Sequence, residues 1–180
     1  MGDEIEIKPL SEQTLAEASK LTLDVFHLHE DDEDYPPKSL KASLYPKENK
    51  DYYEDLDVTN LKYWVAVDSN NHVLGIIGYY TLKYDEKEAY WVGWYCVNPE
   101  SRGKGVGRLL LNLIINKTKD DGKKWLRLYT SNEPNEKIAN KIYDKLGFKS
   151  IKDKKINEMI TSEKFRDFTK DLVYKELRLN

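Results

Sequence analysis

The sequence predicts an α+β domain, a mixed and largely antiparallel central sheet flanked by helices. Three observations carry that expectation. Apolar runs between Leu61 and Val97, separated by tight turns, read as a three-strand meander. The third run passes through Asn98-Pro99 into a basic, glycine-rich loop and then into an apolar helical stretch. A further strand and an amphipathic helix come next, giving strand and helix periods in alternation.

The elements follow in order. Ile5 and Ile7 alternate with charged residues as a short first strand. Ser11 to Phe26 reads as a helix with Leu15, Ala18, Leu21, Leu23, Val25 and Phe26 on its apolar face. His27 to Pro37 is a charged loop ending in proline, and Pro37 to Tyr45 begins a second helix that Pro46 stops. Lys47 to Thr59 reads as loop with a helical turn. Leu61–Asp68 and Val73–Tyr84 form a strand pair around the turn Ser69-Asn70-Asn71-His72. Asp85 to Glu88 turns the chain into the strand Ala89–Val97. A helix from Gly107 to Lys119 precedes Asp121-Gly122, Trp125 to Tyr129 is the next strand, and Phe148–Ile156 and Leu172–Leu177 are expected as final strands. No repeat or linker interrupts residues 1–180, which read as one domain.

The segment Val97-Asn98-Pro99-Glu100-Ser101-Arg102-Gly103-Lys104-Gly105-Val106-Gly107-Arg108 carries the chemistry. A strand that runs through glycines into a helix N-terminus leaves backbone N–H groups unpaired and convergent, a receptor for a polyanion such as pyrophosphate. Arg102, Lys104 and Arg108 add positive charge. No Ser or Thr follows a Gly-Lys pair, so the loop is not a P-loop; the third glycine of G-x-G-x-x-G would fall on Arg108, so it is not a dinucleotide fingerprint. The pattern that fits is R-x-x-G-x-G at Arg102, Gly105 and Gly107. It resembles the acetyl-CoA pyrophosphate loop of the GNAT N-acetyltransferase superfamily.

A second block agrees. Residues Pro134 to Phe148 hold Ala139, Tyr143, Gly147 and Phe148 at the A-x-x-x-Y-x-x-x-G-F spacing of that family's later helix. By periodicity alone this is an amphipathic helix with Ile138, Ile142 and Leu146 four residues apart, and Gly147 is a left-handed C-cap. The resemblance covers residues 91–119 and 125–148 as two parts of one acetyl-CoA site.

It implies the GNAT fold, with a splayed central strand pair that admits the pantetheine arm of acetyl-CoA. The carried-over cofactor positions are Cys96 and Val97, whose N–H groups would hold the pantetheine and polarise the thioester, then Arg102, Gly103, Lys104, Gly105, Val106, Gly107 and Arg108 for the pyrophosphate, and Asn135. Tyr143 is the implied acid for the leaving thiolate, since a phenol of pKa ~10 keeps its proton at neutral pH. The implied activity is acetyl transfer to a primary amine, small and cationic or peptidic, by direct attack in a ternary complex. The base stays unassigned: the strand glutamate that some family members carry falls at or near Trp91, which takes no proton, leaving Glu86, Glu88 or a water relayed through Tyr95. A silent acyl-CoA-binding protein on the same fold, or a transferase using a longer acyl chain or an alcohol, remains open.

Composition bounds the alternatives. With 32 acidic against 29 basic residues and a net charge of −3, no broad nucleic-acid footprint exists. Apolar stretches fall short of the ~20 residues a membrane span needs, and the amino terminus lacks the features of a secretion signal or a myristoylation site. A lone cysteine, Cys96, fits a reducing compartment, and a cytoplasmic protein is expected. Cys96 has no basic neighbour in sequence to make it a nucleophile. His27-Leu28-His29-Glu30 puts its histidines two apart, the wrong spacing for one helical face, so no metal is expected. The acidic run Glu30-Asp31-Asp32-Glu33-Asp34 is either a solvated loop or a rim that attracts cations. Tyr35, Tyr45, Tyr52, Tyr53, Trp91 and Trp94 either line the acceptor pocket or pack. A homodimer through the carboxy-terminal strands stays open.

Overall fold

The computed structural model describes residues 4–29, 35–152, 154–160 and 172–179. Its frame is one sheet, in which β1 (Glu6–Pro9), β2 (Val58–Val67), β3 (Val73–Leu82), β4 (Ala89–Val92), β6 (Trp125–Ser131), β8 (Leu172–Arg178) and β7 (Lys149–Ser150) lie side by side in that order. β5 (Cys96–Val97) continues the line of β4 and pairs only with β3. β4 and β6 are parallel, and the other pairs are antiparallel. The expected mixed, largely antiparallel sheet is therefore present, as is the meander.

Each face is covered by helices. On one face, α1 (Glu12–Phe26), α2 (Pro36–Leu44) and α6 (Lys154–Ile160) bring Ala18, Leu21, Leu40, Ala42 and Ile156 against Val65, Val67, Ile76 and Trp91, with α3 (Lys50–Asp55) alongside. On the other, α4 (Val106–Asp120) and α5 (Lys137–Leu146) bring Val106, Leu110, Leu111, Ile114 and Tyr143 against Ile77, Tyr79, Leu126 and Leu128. Local chemistry sets the helix ends. The Ser11 amide donates to the Thr14 hydroxyl at 3.1 Å, Pro36 opens α2, and Gly147 closes α5 at φ 93°.

The expected strand Ala89–Val97 is broken. Gly93 N–H donates to Gly78 O at 2.9 Å, whereas further on Cys96 stands opposite Ile76 and Val97 opposite Gly75. Two residues, Trp94 and Tyr95, thus face the single residue Ile77, a β-bulge. Two other expectations change. Lys47–Thr59 contains a regular short helix, and the strand expected over Phe148–Ile156 shrinks to β7 followed by α6.

A buried charged row crosses the first face. Arg127, 2% exposed, donates from Nη1 to Asp85 Oδ2 at 2.5 Å and from Nε to Glu176 Oε2 at 3.1 Å. The indole of Trp91 and the hydroxyl of Tyr84 donate to the same Asp85 oxygen at 2.9 and 3.0 Å. Burial raises the Asp85 carboxyl above its ordinary range, and the Trp91 hydrogen bond and the guanidinium charge hold it down. Removing the only cation of this row strands a buried carboxylate, typically a loss of 3–5 kcal/mol. A group whose folded-state pKa is raised stabilises the fold below its ordinary value and loses that contribution as pH rises. Arg127→Met is therefore expected to lower unfolding free energy by about 3–5 kcal/mol at pH 8 and by clearly less at pH 5, where Asp85 can take a proton. Urea titrations at both pH values check this; a small loss equal at both would show that the row is not a charge-compensated unit.

Candidate active site

The bulge opens the middle of the sheet. The β4–β6 ladder runs from Ala89↔Trp125 to Trp91↔Arg127 and stops, and β5 makes no ladder with β6. Two strand edges therefore diverge within the sheet. Backbone groups alternate along an antiparallel strand. Asn98 N–H donates to Leu74 O at 2.9 Å, so the groups of Cys96, two residues back, also face β3, and those of Val97 face the gap. The Val97 carbonyl does so visibly, accepting from Arg102 Nε at 3.3 Å. Of the expected pair, Val97 presents its amide to the gap; the Cys96 amide is turned to Ile76. The Cys96 thiol is buried, and burial pushes its pKa up to about 12 despite the Arg102 charge, which keeps it a thiol.

The loop follows at the mouth of the gap. Pro99–Ser101 forms a 3-10 turn anchored by Asn98, whose side chain accepts from Glu100 N at 3.0 Å and whose carbonyl accepts from Ser101 N at 2.8 Å. Gly105 caps α4 at φ 88°, a conformation in which a Cβ is strained, and nothing lies within 4 Å of where that Cβ would point. Gly107 answers a different need: a Cβ there would stand 2.7 Å from the Tyr95 hydroxyl, which donates to Gly107 O at 2.9 Å. From Gly103 to Arg108 the amides donate to no acceptor among the described residues, and Arg102, Lys104 and Arg108 are exposed around them. Val106 is buried beneath the loop. The result is an open cradle of N–H donors at the positive end of a 15-residue helix.

Across the gap, α5 delivers Tyr143. It is 6% exposed, with ring centroids 6.5 Å from Tyr95 and 5.6 Å from Phe148. Burial, then the Tyr95 and Glu136 charges, raises its pKa well above the ordinary phenol value, so the hydroxyl stays protonated. α5 is tied to β6 by Glu136, whose carboxylate accepts from Ser131 N at 2.7 Å and from the Thr130 hydroxyl, and by Asn140 Nδ2 donating to Ser131 O at 2.8 Å. The stripe read from spacing is not the buried one. Ile138 is 69% exposed, Ile142 and Leu146 are exposed beside it, and Tyr143 and Ala139 face the sheet. Four-residue spacing marks a stripe without saying which neighbour it meets. Asn135 lies in the 3-10 turn Pro134–Glu136, and its side chain falls outside what is described.

The first face carries a group of packed aromatic rings. Trp94 packs on Phe26 at 5.1 Å, Trp91 lies 6.3 Å from Tyr80 and 6.4 Å from Tyr174, and Tyr129 lies 6.1 Å from Tyr174. Tyr80, Tyr129 and Tyr174 were invisible as a group in the sequence because three strands bring them together. Tyr52 and Tyr53 pack on this side, Tyr45 bonds Glu12 at 2.6 Å, and Tyr35 stacks with Lys38. Glu86 and Glu88 sit at the end of β4 remote from the gap. The acidic run Glu30–Asp34 lies outside the described residues. Among those described, no three His, Cys, Asp or Glu residues are placed to hold a metal, and no helix is long and apolar enough to cross a membrane.

Comparison with known proteins follows the same lines. Among curated proteins, none matches the chain. Solved structures do. An acetyltransferase of the GNAT family from Staphylococcus aureus Mu50 superposes with a TM-score of 0.70 at 19% identity, over 98% of this chain and 100% of the other. N-acetylglutamate synthase from Neisseria gonorrhoeae, complexed with coenzyme A and N-acetyl-glutamate, gives 0.69 at 14% identity, over 100% of this chain and 36% of that longer one. A GCN5-related N-acetyltransferase from Kribbella flavida gives 0.64 at 16% identity, over 97% and 98%. At these identities the likeness speaks for the fold. The sequence itself matches the profile of the acetyltransferase (GNAT) family across residues 24–148, the stretch that holds the bulge, the amide cradle and Tyr143, and the chain belongs to that family.

Proposed function

We propose that the protein moves an acetyl group from acetyl-CoA to the amine of a small cationic molecule or a peptide, by direct attack within a ternary complex. Acetyl transfer is the chemistry of its family. The observation that carries the finer reading is the interrupted β4–β6 ladder, roofed by unpaired amides and flanked by a buried, protonated tyrosine.

The residues present suit acetyl-CoA. The amides of Gly103 to Arg108 and the charges of Arg102, Lys104 and Arg108 would hold the diphosphate, each charge-assisted hydrogen bond contributing about 1.5–3 kcal/mol. Val97 would pair with the pantetheine amides as an added strand does. The Tyr95 amide, next in alternation along the bulged strand, would polarise the thioester carbonyl. Acetyl-CoA supplies an activated acyl carbon and a thiolate leaving group. Tyr143 would protonate that thiolate, and burial keeps the proton in place for the purpose. The lone buried cysteine fits a reducing, cytoplasmic setting.

Gly105→Asp combines left-handed strain with a negative charge in the cradle. Acetyl-CoA affinity, measured by calorimetry, is expected to fall at least about 100-fold; unchanged affinity would remove the loop from the cofactor site. Tyr143→Phe is expected to lower kcat about 100-fold or more while the acetyl-CoA dissociation constant holds. Because the Tyr143 pKa is raised, the kcat–pH profile of the native protein should show no alkaline decline through about pH 10. A decline near pH 8 that vanishes in Tyr143→Phe would contradict this protonation state. A protein that binds acetyl-CoA yet acetylates no amine in a broad CoA-release screen would be a binding module instead.

A further inference from the structure

The helix α5 has a second working side. Lys137, Asn140, Lys141 and Asp144 follow one another at helical spacing, so they share one face. With Val173 and Lys175 of β8 they wall a pocket of about 290 Å³. β8 lies beyond β6 from the interrupted β4–β6 ladder, so this pocket is apart from the gap. Its volume stands at the lower end of small-molecule sites, roughly 300–1,000 Å³.

The walls carry excess positive charge and two incomplete polar groups. Three lysines stand against one aspartate, which leaves two positive charges unmatched. Lys175 is only 8% exposed, and its ammonium donates to Asp144 Oδ1 at 2.8 Å. An ammonium has three hydrogens to give, and no other acceptor meets this one among the described residues. Lys137 and Lys141 are exposed, and neither has a carboxylate partner among the described residues. Asn140 has the opposite need. Its Nδ2 donates to Ser131 O at 2.8 Å, and a carbonyl can only accept, so the amide cannot be turned round. Its Oδ1 is left shielded from solvent and without a donor. Native structures rarely leave a buried oxygen unmatched.

We propose that this pocket binds a small phosphate monoester that carries a hydroxyl group. The dianion matches the two unmatched charges, and the ammonium groups of Lys137, Lys141 and Lys175 can share its terminal oxygens. The hydroxyl is the donor that Asn140 Oδ1 lacks; a bare dianion would set acceptor against acceptor there. None of these residues belongs to the amide cradle or to the Val97 edge, so the site stands whether or not the gap serves acetyl transfer.

Glycerol 3-phosphate serves as the probe, titrated by calorimetry into the protein with coenzyme A in excess to keep the ester out of the cradle. A dissociation constant of about 1 mM or tighter is expected. Lys175→Met leaves behind only the largely exposed Asp144 and is expected to weaken binding at least about 10-fold. Lys137→Met combined with Lys141→Met, both surface positions, is expected to weaken it roughly 3- to 10-fold and to flatten its salt dependence. Propyl phosphate, the same ester without hydroxyls, should bind about 3- to 10-fold less tightly. A titration that never saturates overturns the proposal. So does binding that both lysine variants leave intact, since the ester would then sit elsewhere. Equal affinity for the two esters overturns the part given to Asn140. Thermal midpoints separate lost binding from lost folding; should Lys175→Met fail to fold, the surface pair decides. If coenzyme A itself does not bind, the acetyltransferase reading fails, and the lysine variants still report on this pocket alone.

Discussion

One extra residue decides this structure. Trp94 and Tyr95 share a single partner on β3, and the strand that should have run unbroken from Ala89 to Val97 loses step with its neighbour. The candidate site is arranged around that slip. It ends the parallel ladder with β6 at Trp91, turns the polar groups of Val97 into open space, and places Trp94 against Phe26 on one face and Tyr95 against Gly107 on the other. A regular strand here would pair fully with β6 and leave no room for a ligand backbone to enter.

The two faces then divide the chemistry. The side of α4 and α5 carries an amide cradle, exposed cations and a tyrosine whose proton burial secures. The side of α1 and α2 is aromatic, with one internal ion network and a row of tyrosine rings around Trp91. At or near the place where the resemblance puts a carboxylate in some family members, Trp91 gives its N–H to Asp85, so the position serves packing and charge compensation. Among the described residues, no carboxylate stands at that position on β4.

Much of this was legible beforehand because it is local. A glycine run between an apolar strand and an apolar helix, and a tyrosine four residues before a Gly-Phe pair, are read directly from spacing. What the sequence withheld depends on contacts between distant residues. The bulge is a register relation between Trp94-Tyr95 and Ile77, and no single strand reports it. The backbone polarity that separates Val97 from Cys96 follows from that register. Ile138, Ile142 and Leu146 announced a stripe but not its orientation, which the packing of Ala139 and Tyr143 decides. The Tyr63 ring lies over Gly78 and Gly93, a contact between strands that local spacing does not report.

An edge in the middle of a sheet carries a liability as well as a use. Unpaired strand groups attract any extended segment, including another molecule's. Filling the cleft completes the sheet, so occupancy and folding are thermodynamically linked: a ligand at 100 times its dissociation constant adds about 2.7 kcal/mol. By the same linkage, heat tolerance reports how well a ligand fits the interrupted ladder.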